Sequence, residues 1–149
     1  MAAPKPPKLL DRKDVIAAAA EITEAVYPNA DDVVVDEIIQ TVYKEDGTFQ
    51  TWDDEYIKVL TEKGKRSHQT VSRYFKPDGT AAALDVAANS RVMVNPGQMS
   101  ANIYNPNSKI LRVSVPGLEI GDLLHIRSFR DTVKARVPGT WSDYTVLEY

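Results

Sequence analysis

Residues Arg112–Asp131 read RVSVPGLEIGDLLHIRSFRD, and their punctuation decides the class of fold. The stretch Ile110–Val115 has the β-branched character of a strand. Pro116-Gly117 turns the chain, and Gly121-Asp122 opens a longer strand running to about Arg130. Along that strand Leu124 and Ile126 alternate with His125 and Arg127. A period of two sends the first pair to a core and the second pair to water or a partner. Truncating Leu124 or Ile126 to Ala is therefore expected to cost about 2–5 kcal/mol, while His125→Ala should matter little. Gly117 and Gly121 sit where the backbone needs positive φ.

The same grammar extends upstream. Met1–Lys8 (MAAPKPPK) is a Pro/Lys tail, and residues 1–10 are expected to be flexible. Asp11 can cap a helix with Asp14 in its first turn. Val15, Ala18, Ala19, Ile22 and Val26 then share one helical face until Tyr27-Pro28-Asn29 stops it. From Val33 to Tyr43 (VVVDEIIQTVY) the pattern becomes a strand, Asp46-Gly47 makes a hairpin turn, and a return strand runs from Phe49 to about Thr61. Lys63-Gly64 reads as a turn. Further strands are expected at Thr70–Phe75, Ala82–Ala88 and Ser90–Val94, with turns at Lys76–Gly79 and Asn95–Gly97 and a loop at Asn105–Ser108. The prediction is a mainly β fold, an antiparallel β-sandwich or barrel-like sheet with one short N-terminal helix. Residues 11–149 are expected to form a single β-rich domain that is truncated at its C-terminus.

Composition narrows the function. The chain has 149 residues, 43% hydrophobic and 26% charged, with net charge −3, so it has the makeup of one globular domain and no membrane span. An acidic balance argues against nucleic acid as a partner, since phosphates demand a basic excess. The cluster Lys63–Arg66 reads as a solvated turn. Cysteine is absent, which excludes disulfides, thiolate metal sites and a cysteine nucleophile within these residues. Val15–Ala20 (VIAAAA) is too short and too closely bracketed by charge for a signal peptide.

Candidate chemistry is sparse. Only His68 and His125 can act as imidazole bases, and a hydrolytic site needs a nucleophile and an orienting acid converging on one of them. Ser67 and His68 are neighbours in sequence and would point apart on a strand, so no catalytic residue is assigned. Asp31-Asp32 and Asp53-Asp54-Glu55 lack the alternating spacing and glycine of a calcium loop; they read as solvated carboxylates, with no metal and no cofactor. Trp52, Asp54 and Tyr56 share one face of a regular strand, with the rings about 13 Å apart. That is the arrangement of a ligand platform, for a glycan or peptide. The alternative is that the rings pack while Asp54 reaches water, because burying Asp54 unpaired costs several kcal/mol. A bulge near Asp53–Glu55 would relieve the conflict.

One resemblance organises these signals. VPGLEIGDLLHIRSFRD followed by Val137–Asp143 (VPGTWSD) resembles the domain of unknown function found N-terminal to transglutaminase-like domains in exported bacterial proteins. Upstream, the helix, YPNADDVVVDE, the EDGT hairpin, YIKVLTEKGK and the NPG turn at Asn95–Gly97 fit its order, over roughly residues 20–149. Trp141 resembles the family's turn aromatic. The family domain continues past the WSDYTVLEY strand, and the transglutaminase-like domain with its Cys-His-Asp triad lies beyond it. The resemblance implies a non-catalytic accessory domain that docks an adjacent catalytic domain or another partner, in the periplasm or outside the cell. The alternatives are a carbohydrate- or peptide-binding module using the Trp52/Tyr56 surface or strand addition at a free edge, and an autonomous hydrolase.

Overall fold

The β-branched run and the alternation around it fold into antiparallel strands. The computed structural model describes residues 5–75, 81–88, 91–94, 99–101, 109–135 and 137–140. In chain order the elements are α1 (Arg12–Ala20), β1 (Asp32–Tyr43), β2 (Phe49–Val59), α2 (Glu62–His68), β3 (Thr70–Phe75), β4 (Ala81–Ala88), β5 (Arg91–Val94), β6 (Met99–Ala101), β7 (Lys109–Ser114) and β8 (Leu123–Thr132). One sheet has the order β1-β2-β8-β4-β5 and the other β3-β7-β6, every pairing antiparallel. The mainly β class is as expected, and neither sheet closes on itself among the described residues. The expected turns at Lys76–Gly79 and Asn95–Gly97, the loop at Asn105–Ser108 and the Trp141 turn lie outside the described residues.

The hairpin forms where Asp46-Gly47 requires it. Gly47 has φ 83°, a left-handed conformation that glycine adopts without steric cost. Its N–H donates to the Lys44 carbonyl at 3.0 Å, and Asp46 Oδ1 accepts from both the Thr48 N–H (2.9 Å) and hydroxyl (2.6 Å). With the turn centred there, Glu37 falls opposite Glu55 and Gln40 opposite Trp52.

The core lies where the two sheets meet. Ile57 and Val59 from β2, Leu124 and Ile126 from β8, Val71 from β3 and Leu111 and Val113 from β7 form one buried cluster with Val115 and Leu118. Leu124 and Ile126 face inward, as their alternation with His125 and Arg127 requires. The PGLEIGD turn fastens this core at its end. Gly121 N–H donates to Val59 O at 2.8 Å, Val59 N–H donates to Asp122 O at 3.0 Å, and the buried Asp122 carboxylate accepts from Glu119 N–H at 3.0 Å. These bonds satisfy backbone groups that would otherwise be stranded at the end of β2. Gly117 and Gly121 have φ of 73° and 88°.

Four local expectations change. The first helix ends at Ala20 instead of Val26, and it buries only Val15 and Ala19. Thr23 draws the following residues into a turn of their own: its carbonyl accepts from Tyr27 N–H at 2.9 Å and its hydroxyl from Val26 N–H at 3.4 Å. Val26 is left exposed. Second, Lys63–Arg66 is no turn but the middle of α2, capped by Thr61, whose hydroxyl accepts from Gly64 N–H at 3.2 Å. Third, the N-terminal segment is anchored at its last residues. Leu10 N–H reaches Asp54 Oδ2 at 3.1 Å, and Lys8 O accepts from Gln40 Nε2 at 2.7 Å. Fourth, the irregularity expected near Asp53–Glu55 falls in β1, between Val34 and Asp36; β2 pairs with β8 in unbroken register.

Candidate functional site

The alternation of β2 places its consecutive acids on opposite faces. Its even positions, Trp52, Asp54 and Tyr56, share the face on which Leu10 meets Asp54, and its odd positions, Asp53 and Glu55, face the second sheet beside Ile57. Two polar clusters result, one on each side of a single strand.

On the Leu10 side the three residues singled out from sequence are brought together but buried. Trp52, Asp54 and Tyr56 are 8%, 3% and 4% exposed, so the two rings are packing groups, not a surface platform. Trp52 packs on Phe129 across the β2–β8 pair, with centroids 5.3 Å apart. The expectation that Asp54 reaches water, and that the Asp53–Glu55 carboxylates are solvated, is overturned here. Asp54 Oδ1 lies 2.5 Å from His125 Nε2, and Oδ2 accepts from Leu10 N–H. The imidazole stacks on Tyr56, 3.9 Å between centroids and 6° between planes. Burial pushes the Asp54 carboxyl upward, but the bonds from His125 and Leu10 and the charge of Arg127 outweigh it and hold it below the ordinary range. The Tyr56 phenol is pushed up by burial and by the Asp54 charge. His125 is thus a structural partner of a buried acid rather than a free surface group. The sequence shows the alternation of His125 but not which acid it meets, because the β2–β8 pairing spans some seventy residues of chain.

On the opposite side, Glu37, Asp53 and Glu55 bring carboxylate oxygens within 4.8 Å of one another. Arg73 of β3 reaches across between the sheets, with Nη2 3.3 Å from Glu55 and 3.8 Å from Asp53. Ser128 Oγ donates to Asp53 Oδ2 at 3.3 Å, while Oδ1 is buried and finds no donor. Burial raises Asp53, with Arg73 opposing and Glu37 adding to the rise. Burial raises Glu55 also, aided by the Asp53 charge and opposed by Arg73. Asp53 and Glu55 thus share one guanidinium, with the exposed Glu37 carboxylate beside them. Neither Arg73 nor Glu37 was singled out from sequence. Glu37 was within reach of inference, since a turn at Asp46-Gly47 sets it opposite Glu55.

The second histidine stands apart from both clusters. His68, at the end of α2, has Nε2 3.1 Å from Asp32 Oδ2, close enough for an ion pair but not aligned for a hydrogen bond. A shallow groove of about 330 Å³ runs beside α2, lined by Lys65, Gln69 and Ser114–Glu119; Lys65 there is paired with Glu119 at 3.1 Å. No family model, curated protein or solved structure matches the chain. No helix among the described residues is long and apolar enough to cross a membrane. What the arrangement can do chemically is hold charge: each imidazole faces a carboxylate, and among the described residues neither is hydrogen-bonded to a hydroxyl that it could activate.

Proposed function

We propose that this chain is a non-catalytic accessory domain of a larger, exported transglutaminase-like protein, and that it docks the catalytic domain or another protein partner. One observation carries the docking part. Asp53, Asp54 and Glu55 are turned inward and partnered within the fold, while β1, the outermost strand of its sheet among the described residues, leaves Val34, Ile39 and Val42 exposed at 51%, 58% and 45%. Aliphatic side chains gathered on a sheet edge are a liability unless something covers them. The ordered motifs from the first helix to VPGTWSD supply the family part of the proposal, and with it a periplasmic or extracellular setting.

The gene tests it. Read past the codon for Tyr149, the frame is expected to continue into a domain carrying Cys, His and Asp, and the isolated downstream domain should bind this chain in a calorimetric titration. A stop codon soon after Tyr149, or a downstream domain that gives no heat of binding, would remove the proposal.

A further inference from the structure

The inner side of β1 is taken by β2, and among the described residues no strand pairs with its outer side. A sheet edge offers a row of unpaired N–H and C=O groups to any extended chain unless it is guarded. The guards here are partial: Asp36 Oδ1 accepts from Glu37 N–H at 2.9 Å, and an incoming strand would displace that local bond. The bulge between Val34 and Asp36 interrupts the strand near its start, but from Asp36 to Tyr43 the register with β2 is unbroken. Along that stretch the side chains alternate as a docking strand requires, with Glu37 and Ile39 on the face of the second sheet and Val42 on the other. β1 contains Asp32, Asp36 and Glu37 and no Lys or Arg.

We propose that the outer edge of β1 receives an extended protein segment as an added strand, with a Lys or Arg of that segment opposite Glu37 and an aliphatic residue opposite Ile39. The charge balance selects this occupant. Glu37 shares its face with Asp53 and Glu55, and Arg73 is the one cation bonded to that group among the described residues. A basic side chain arriving beside Glu37 supplies the positive charge that the cluster lacks, while main-chain bonds to the edge provide sequence-independent affinity. A second copy of this chain is a poor occupant. Edge-to-edge pairing of two β1 strands would bring together strands whose charged residues are all acidic, and like charges facing across strands repel. The inference rests on the accessory-domain proposal and deepens it by naming the chemistry of the partner segment.

The test uses the full chain and a short fluorescein-labelled peptide of alternating Val and Thr, with one Lys among the Val positions. A second peptide carries Glu in place of that Lys. Anisotropy titrations should show saturable binding of the Lys peptide, roughly tenfold weaker binding of the Glu peptide, and a reversed preference in the surface variant Glu37→Lys. Hydrogen exchange should slow in residues 36–43 when the Lys peptide is bound. Equal affinity for both peptides, no binding of either, or a stable dimer of the unmodified chain in sedimentation would overturn the inference. The peptide pair exposes a failure even if the protein variant folds poorly. Because the reading frame is scored separately, loss of peptide binding would leave the accessory-domain proposal standing.

Discussion

At the scale of single residues, His125 shows where alternation informs and where it misleads. The period of two correctly sends Leu124 and Ile126 into the core, but the complementary expectation, that His125 meets only water or a partner, fails. A residue on the outer face of a strand is fully exposed only if nothing lies over that face, and here the anchored Lys8–Leu10 segment lies against it and leaves the His125 side chain 23% exposed. Asp54 survives there because His125 and Leu10 satisfy it. His125→Ala is therefore expected to destabilise the fold by about 2–3 kcal/mol, the cost of leaving a buried carboxylate short of a hydrogen-bond partner. Urea unfolding of His125→Ala, Asp54→Asn and the double variant would check it. The double variant should lose much less than the two single losses combined, because either change alone already breaks the pair. Additive losses would mean that the two side chains do not act together. The rings were visible as a constellation from sequence; their burial was not, because it depends on how a distant segment folds back.

At the scale of elements, most strands were legible, while the short strand β6 and the short helix α2 were not. The hairpin, β7 and β8 announce themselves through Gly, Pro and Asp at turn positions, and chain-local chemistry settles them. For α2 the signals were also local: Thr61 as cap, Glu62 in the first turn, and Lys65, Arg66 and His68 in the last, where the helix dipole favours them. They were outweighed by Gly64, which reads as a breaker in an isolated sequence. The structure gives this glycine a different reason. A Cβ at position 64 would stand 2.1 Å from the backbone oxygen of Asp31, the same carbonyl that accepts from Leu60 and Thr61 N–H at 3.0 and 3.1 Å. Asp31 also binds Thr61 Oγ1 at 2.7 Å and Lys63 Nζ at 2.5 Å. The first turn of α2 is thus pressed against the start of β1, and backbone on both sides leaves little room to yield. Gly64→Ala is expected to cost about 2–3 kcal/mol despite its higher helix propensity, read as a lowered midpoint in thermal unfolding. An unchanged or raised midpoint would mean that the helix does not pack on Asp31.

At the scale of the whole molecule, the two faces of β2 set opposite responses to pH. Asp53 and Glu55, turned toward the second sheet, have carboxyls raised above their ordinary values of 3.8 and 4.5. The folded state binds those protons more readily than the unfolded chain does. Their charged forms therefore oppose folding near neutrality, and the cost disappears as pH falls through their folded values. Asp54 on the other face, and Asp31 and Asp46 at the surface, are lowered from 3.8. What they contribute is present above 3.8 and is lost as pH drops further. Stability should therefore rise on acidification from neutral pH, peak in the mildly acidic range above 3.8, and collapse below it. Neither limb was legible in the sequence, where Asp53, Asp54 and Glu55 are simply consecutive acids; their separation follows from the pleat, and their environments from Arg73 and His125 on strands far along the chain. Urea midpoints measured across this range would test the shape of the curve, and Glu55→Gln isolates its cause. The variant removes one of the crowded carboxylates without touching Asp54, so the rise between neutral and mildly acidic pH should shrink while the acid collapse stays in place. If the unmodified chain instead loses stability steadily from neutrality downward, and Glu55→Gln follows the same line, then the three carboxylates around Arg73 are not crowded in the folded protein.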